Sequence, residues 1–231
     1  MSASLVGSEM CIRDSLYGLL GIYAIPNWIG IPFTILTIVF ITNAINLIDG
    51  IDGLASGLSS VALLVFGLLF IEKGLWMYSM LAFSTLGVLV PFFYYNVFGN
   101  AERARKIFMG DTGSLTLGYI LSFLAIKYSQ NNPEVISNTK GTFLIAFSTL
   151  IIPAFDVIRV VMVRLRNGKS PFEPDKNHIH HKFLAMGFTP RKAMIIIILI
   201  SCAFSAVNIL LIPWVNNTAV SYTHLRAHET S

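Results

Sequence analysis

The chain has 231 residues, of which 55% are hydrophobic and only 12% are charged. Soluble domains average roughly 25% charged residues, so this composition, with a mean hydropathy of +0.70, excludes an ordinary soluble domain and indicates a polytopic membrane protein. The net charge of +4 comes largely from two loops, which is typical of membrane topology and not of a nucleic-acid surface. The two cysteines, Cys11 and Cys202, imply no disulfide or metal framework.

The two ends of the chain look foreign to the rest of it. Residues 1–14 and 220–231 have no periodicity related to their neighbours, and both resemble translated sequencing-adapter sequence. We therefore expect a non-native leader at 1–14 and a non-native tail at 220–231. Residues 15–219 would then form a single transmembrane domain, a fragment of a longer protein whose N-terminal part is missing.

Six apolar segments predict an all-α, polytopic integral membrane protein with about six transmembrane helices. A helix needs ~20 apolar residues to cross a bilayer, and most of the segments approach that length. The shortest segment, 114–127, would need flanking residues to reach that length. The segments are 31–48, 54–71, 76–97, 114–127, 141–163 and 192–214.

The distribution of basic residues predicts the orientation. Loops 98–113 and 164–192 together carry ten of the sixteen Lys and Arg residues, and basic loops face the cytoplasm. Counting back two spans from the first of these loops places the turn at 49–53 on the same side. Three polar clusters that are far apart in sequence are therefore predicted to converge at the cytoplasmic face.

The first cluster, NAINLIDGIDG, ends the first apolar segment. Its polar residues, Asn43, Asn46, Asp49 and Asp52, recur every third position, and residues three apart are neighbours on a helix surface. Carboxylates at membrane depth are costly and indicate function. The alternative is a capped helix end with two solvated carboxylates, but capping requires one such residue and not four.

The second cluster, FMGDTGS, lies where the basic loop enters the fourth apolar segment. A helix N-terminus with nearby glycines attracts anions. Asp111 at that place repels a bare phosphate but suits a phosphate that carries Mg²⁺, because Mg²⁺ takes one or two carboxylates plus phosphate oxygens and water. The alternative is that Asp111 or Thr112 only caps the helix, and both interpretations stay open.

The third cluster is the loop before the last apolar segment, where His178, His180 and His181 lie close together. A histidine-rich tract can bind metal, yet no cysteine or carboxylate spacing supports a closed zinc site. With lysines alongside, contacts to a diphosphate are favoured over a metal. A solvated loop without a ligand is the remaining alternative.

Further polar residues lie in or at the end of the apolar segments. Asn96, at the end of the third segment, is either a polar partner of the site or an interfacial residue. Asp156 and Arg159 are three apart in the fifth segment and can pair on one helix face. A structural ion pair is favoured there over a direct catalytic role.

The motifs NAINLIDGIDG, FMGDTGS and NHIHH, in this order, resemble the polyprenyl-phosphate N-acetylhexosamine-1-phosphate transferases of glycosyltransferase family 4, over roughly Leu16 to Trp214. The NHIHH loop is more similar to the bacterial undecaprenyl-phosphate N-acetylglucosaminyl-1-phosphate transferases than to the muramyl-pentapeptide translocases. The resemblance implies a multi-pass enzyme of the bacterial inner membrane with a cytoplasmic active site. It would transfer N-acetylglucosamine 1-phosphate, or a related N-acetylhexosamine 1-phosphate, from a UDP-sugar to undecaprenyl phosphate. UMP would leave, and the product would initiate synthesis of a cell-envelope polysaccharide such as cell-wall polymer or lipopolysaccharide.

The resemblance also implies roles for single residues. Asp49, Asp52 and Asp111 would be catalytic, and Mg²⁺, with Mn²⁺ as an alternative, would be held by Asn46 and Asp111. The implied partners are a UDP-N-acetylhexosamine, undecaprenyl phosphate and membrane lipid, with no nucleic acid and with a homodimer left open. The implied substrate-binding residues are Asn43, Asn96, His178, His180 and His181.

One departure from the family pattern bears on activity. Family members carry an acidic DDxxD-type motif upstream, and none precedes Asn43 here, so we expect the fragment alone to be inactive. The main alternative function is a membrane transporter or lipid-carrier binding protein that uses the polar residues of the first cluster as an ion path. Transporters tend to place polar residues at the midplane and to contain inverted repeats. Here the polar residues are predicted at one face, and no repeat is evident.

Overall fold

The computed structural model describes residues 27–100, 102–129, 142–168, 170 and 178–228. These residues are all-helical and contain no strand, as the sequence predicts. The helices are α1 (Asn27–Ile48), α2 (Leu54–Glu72), α3 (Trp76–Phe98), α4 (Gly110–Ser129), α5 (Thr142–Thr149), α6 (Ile151–Arg166), α7 (Ile179–Ala185) and α8 (Pro190–His228).

Helix α2 lies at the centre of the bundle and packs against α1, α3, α4 and α8. Phe66 and Phe70 on this helix are fully buried, and the Phe70 ring meets the edge of Tyr128 on α4 at a centroid distance of 5.6 Å. Lipid is as apolar as these side chains, so close packing, and not removal from water, stabilises such contacts in a membrane.

Helices α1 and α4 approach each other closely at Gly118. A Cβ atom at this position would lie 2.7 Å from the Cα of Thr42 on α1, which is closer than real Cβ atoms approach a backbone. Small residues let helix backbones come together in this way. The contact places the C-terminal turns of α1 beside the first turn of α4.

A second apolar cluster lies beneath the turn that joins α1 to α2. It includes Ile48, Leu54, Met194 and Ile197, so α1, α2 and α8 are held together directly under this turn. Arg191, near the start of α8, adds a hydrogen bond of 3.2 Å from Nη2 to the carbonyl oxygen of Val97 at the end of α3.

The predicted number of six membrane spans is not confirmed. In the described residues, four helices are long and apolar enough to cross a membrane: Trp28–Ile48, Leu54–Glu72, Trp76–Phe98 and Pro190–Leu211. Helix α4 has 20 residues but carries many small and polar ones, which it tolerates because much of it is buried against α1 and α2. The predicted fifth segment is interrupted near Leu150 and forms the two shorter helices α5 and α6.

The predicted domain limits stay predictions. The leader at 1–14 and Cys11 lie outside the described residues. Helix α8 continues to His228 and includes most of the predicted tail at 220–231.

Candidate functional site

The turn between α1 and α2 presents two carboxylates at one end of the bundle. Helix α1 ends at Ile48, and Gly53 adopts a left-handed φ of 80° as the residue before α2, a conformation that glycine adopts without steric cost. Asp49 and Asp52 therefore lie in the turn, as the sequence predicts. Asn43 lies farther back on α1, is exposed, and donates from Nδ2 to the carbonyl oxygen of Val39 on its own helix at 2.8 Å.

The first and second predicted clusters meet through Asn46. Its Nδ2 donates to Oδ1 of Asp111 at 3.2 Å and to Oγ of Ser114 at 2.8 Å. Asp111 lies in the first turn of α4, which begins at Gly110. Ser114 is fully buried and belongs to this group of residues, although the sequence pattern did not single it out. The predicted meeting of Asn46 and Asp111 is thus found, 65 positions apart in sequence.

Asn96 connects the turn that carries Asp49 and Asp52, called the carboxylate turn, to the loop before α4. Its Oδ1 accepts a hydrogen bond of 2.6 Å from the backbone N–H of Gly53, and its Nδ2 donates to the carbonyl oxygen of Ile107 at 2.8 Å. The side chain is buried. Asn96 is thus a polar partner of the residues around this turn, and its substrate-binding role stays a prediction.

Lys106 adds a cation near these residues, although the sequence marks it only as one of the basic residues that predict topology. Its Nζ forms an ion pair of 2.6 Å with Oδ2 of Asp52, and both side chains are partly exposed. Its position two residues before FMGDTGS was the signal that could have included it in the site.

The electrostatics of the site are dominated by negative charge. Burial raises the pKa of Asp49, and the nearby carboxylates of Asp52 and Asp111 raise it further. Both neighbouring carboxylates therefore disfavour ionisation of Asp49. A divalent cation among them would relieve this repulsion, which is how the charges of these residues fit the predicted metal.

The oxygen donors also fit that metal. Mg²⁺ usually takes one or two protein carboxylates and completes its shell with water and substrate phosphates, so Asp111 and the amide oxygen of Asn46 would suffice. In the part of the chain that the structure describes, no group of three or more His, Cys, Asp or Glu side chains is placed to hold a metal ion. A closed site made only of protein ligands is therefore not found there.

The third cluster is anchored by Asp156 of α6. The predicted ion pair with Arg159 is present, at 2.9 Å between Oδ1 and Nη2. The same carboxylate also reaches 22 residues forward, where Oδ2 lies 2.9 Å from Nδ1 of His178 and Oδ1 accepts from the backbone N–H of Ile179 at 2.8 Å. Nothing in the sequence predicts this link, because the spacing of three within α6 gives no sign of it.

The other two histidines differ in environment. His180 is 1% exposed, and a Cβ atom on Gly50 of the carboxylate turn would overlap its ring. Burial lowers the pKa of His180 to about 4, with a smaller contribution from His181 and His178. His181 is partly exposed, and its ring centroid lies 4.2 Å from that of His180. The three clusters therefore lie next to one another, linked by the contacts of Asn46 with Asp111 and of Gly50 with His180, and their roles in one site stay a prediction.

The fold and the site define a helical membrane protein whose carboxylates, amides and histidines converge at one end of the bundle. The family model for glycosyl transferase family 4 matches residues 2–129, and the chain belongs to this family. A probable undecaprenyl-phosphate N-acetylglucosaminyl 1-phosphate transferase of Bacillus subtilis (strain 168) is 38% identical over 179 residues, covering 78% of this chain and 47% of the relative.

Two further relatives are named undecaprenyl-phosphate alpha-N-acetylglucosaminyl 1-phosphate transferase. The one from Yersinia pestis is 34% identical over 168 residues, covering 73% of this chain and 44% of the relative. The one from Escherichia coli (strain K12) is 32% identical over 212 residues, covering 89% of this chain and 56% of the relative. The chain thus spans about half the length of these curated relatives.

Proposed function

We propose that the complete protein transfers N-acetylglucosamine 1-phosphate from a UDP-sugar to undecaprenyl phosphate and releases UMP, initiating synthesis of an envelope polysaccharide. The observation that carries the proposal is the convergence of Asn46, Asp52 and Asp111 with the histidines at one end of the bundle. The names of the relatives support the acceptor and the transferred group. A transporter path is disfavoured, because these polar groups lie at helix ends and not at mid-span.

Asn46 and Asp111 would hold Mg²⁺ in this site. When bound, the ion would offset the repulsion between an anionic acceptor phosphate and the diphosphate of the donor. Ser114 keeps the Asn46 amide in place through the 2.8 Å hydrogen bond, so the amide is positioned by the fold and not by the ligand. Mn²⁺ has the same preference for oxygen ligands and is the alternative ion.

The other carboxylates have separate roles in the proposal. The raised pKa of Asp49 suits a group that takes the proton of the acceptor phosphate, since general bases work best when their pKa lies near the working pH. Asp52 is oriented by Lys106, and this lysine is close enough to the site to contact a donor phosphate. Phosphoryl transfer depends chiefly on such positioning and charge neutralisation.

An apolar cavity supports a lipid acceptor. It has a volume of about 340 Å³ and lies between α1, α4, α5 and α6. Its walls are almost wholly apolar and include Leu36, Phe40, Phe147 and Ile158. An isoprenoid chain is the kind of molecule that such walls accept. We propose that the chain of the acceptor lies here while its phosphate reaches the polar end of α1.

The test is release of UMP by the protein extended to the full length of its relatives. UMP should appear only with UDP-N-acetylglucosamine, undecaprenyl phosphate and Mg²⁺ together, and the 231-residue chain alone should give none. Transport of undecaprenyl phosphate or of an ion by the full-length protein in vesicles, without UMP release, would contradict the proposal and favour the transporter.

We also propose that the site faces the cytoplasm of a bacterial inner membrane. Single cysteines at Ser170, on the basic side, and at Lys73, between α2 and α3, should react with an impermeant thiol reagent from opposite sides in a chain whose own cysteines are replaced by serine. Labelling of the Ser170 position from outside intact cells would contradict the orientation. The oligomeric state, including a homodimer, is measurable on the same purified protein.

A further inference from the structure

The segment 178–185, the histidine helix, consists of α7 and the residue before it, and it is attached to the bundle at two points. The first attachment is Asp156, whose carboxylate is 2% exposed. It accepts from the backbone N–H of Ile179 at 2.8 Å and lies 2.9 Å from Nδ1 of His178. This contact holds the ring in one orientation. An ionised carboxylate only accepts hydrogen bonds, so the contact predicts a proton on Nδ1 of His178.

The second attachment is the contact of His180 with the carboxylate turn. The imidazole lies so close to Gly50 that no other residue fits at this position without moving the ring. Among the described residues, neither ring nitrogen of His180 has a hydrogen-bond partner, and a buried polar group without a partner is costly. The ring is thus held by packing against the turn, and its low pKa of about 4 keeps it neutral there.

The two attachments leave the three histidines with different access to a ligand. His178 and His180 are 5% and 1% exposed, so neither can contact a substrate unless the histidine helix moves. His181 is partly exposed and follows His180 directly. Since Gly50 adjoins Asp49, the packing of His180 also sets the position of His181 relative to that carboxylate.

We propose that Asp156 and Gly50 hold the histidine helix in place, an arrangement called its seating below, and that His178 and His180 are positioning residues. His181 alone of the three histidines then contacts the diphosphate of a nucleotide-sugar donor. The identity of that ligand rests on the proposed function, whereas the seating does not. Asp156 thereby becomes part of the site without touching substrate.

The seating can be tested on the chain in detergent without any substrate. Diethyl pyrocarbonate modifies accessible neutral imidazoles, and mass spectrometry assigns each modified histidine. His181 should react roughly tenfold or more faster than His178 and His180, because buried groups react only through local opening. Nitrogen NMR of the same chain should show His178 with its proton on Nδ1.

Substitutions then separate the two attachments. Asp156→Asn should expose His178, since an amide cannot accept from the ring and the backbone as the carboxylate does. Gly50→Ala should expose His180 by displacing its ring. Two matched controls should change neither rate: Glu102→Gln removes an exposed carboxylate, and Gly87→Ala adds a methyl group where nothing lies within 4 Å.

Equal reactivity of all three histidines in the unsubstituted chain, or a neutral His178 whose only ring proton lies on Nε2, would overturn the seating even if the variants do not fold. In the full-length protein, UDP-N-acetylglucosamine with Mg²⁺ should protect His181 from modification. If no histidine is protected, or if His178 or His180 is protected and His181 is not, the contact role is overturned. Failure to release UMP, in contrast, would overturn the proposed function and leave the seating result intact.

Discussion

Lys106 and Asp52 form an ion pair of 2.6 Å between residues that are 54 positions apart. The pair joins the basic loop before α4 to the turn before α2. Both side chains are partly exposed, at 24% for Lys106 and 41% for Asp52, so solvent screens the interaction. Exposed pairs typically contribute less than about 1 kcal/mol to stability, so substitution of Lys106 can test a role in the proposed site with little effect on folding.

Lys106→Met tests that role. We expect almost no change in the unfolding midpoint but at least a tenfold loss of UMP release in the full-length protein, because a phosphate-binding charge is worth about 1.5–3 kcal/mol. Lys106→Arg should retain part of the activity, since it keeps the charge. Full activity of Lys106→Met would show that the lysine only contributes to membrane topology.

Asp111 separates a metal ligand from a residue that merely begins a helix. In the full-length protein, Asp111→Asn should lower UMP release on the order of 10³-fold and raise the Mg²⁺ midpoint, because loss of a metal-bound carboxylate costs several kcal/mol. If Asp111 only stabilises the first turn of α4 through its charge, Asn should cost less than about 1 kcal/mol of stability and leave UMP release almost unchanged. The measurement is UMP release against Mg²⁺ concentration, with Asp111→Ala for comparison.

The carboxylate of Asp49 should lower the stability of the folded chain at neutral pH. Its raised pKa means that the folded chain disfavours the ionised carboxylate, a penalty that is present at neutral pH and relieved as the pH falls towards 3.8. Asp49→Asn should therefore raise the unfolding midpoint at pH 7 without Mg²⁺, and the gain should shrink towards pH 4. A variant less stable than the parent chain at pH 7 would contradict the electrostatic account, and Glu102→Gln serves as an exposed control.

The lowered pKa of His180 predicts the opposite dependence of stability on pH. Its pKa falls from 6.5 to about 4 on folding, so the unfolded chain binds the proton first. Stability is therefore lost as the pH falls below 6.5, and the loss continues towards pH 4. His180→Phe, which keeps a ring over Gly50 but cannot titrate, should weaken this dependence. Thermal unfolding in detergent at several pH values measures it, and identical slopes for the two chains would refute the prediction.

Gly118 tests whether the packing of α1 against α4 sets the metal site. Gly118→Ala would place a methyl group against the Thr42 backbone, so the helices must separate and move Asn46 from Asp111. A displacement of 1 Å can cost about 10²-fold in rate. Stabilisation of the chain by Mg²⁺ should fall as well. Gly87→Ala, whose added methyl group meets open space, should leave both quantities unchanged.

The sequence by itself determined the helical class and the grouping of the site. The apolar segments indicate a helical membrane protein, and the distribution of basic residues predicts which loops share a side. These two local signals predicted that the turn at 49–53, the loop before α4 and the histidines would meet. The motifs also predicted the family, because their residue types and order are local properties of the chain.

Only the tertiary structure decided which atoms pair within the site. The links from Asn96 to Gly53, from Asp156 to His178 and from His180 to Gly50 cross long stretches of sequence, and no periodicity encodes them. The number of spans was likewise not readable from hydropathy alone. Helix α4 can be polar because α1 and α2 cover it, and the fifth apolar segment is interrupted near Leu150. Tertiary contacts thus override local preference wherever a helix is buried by protein and not by lipid.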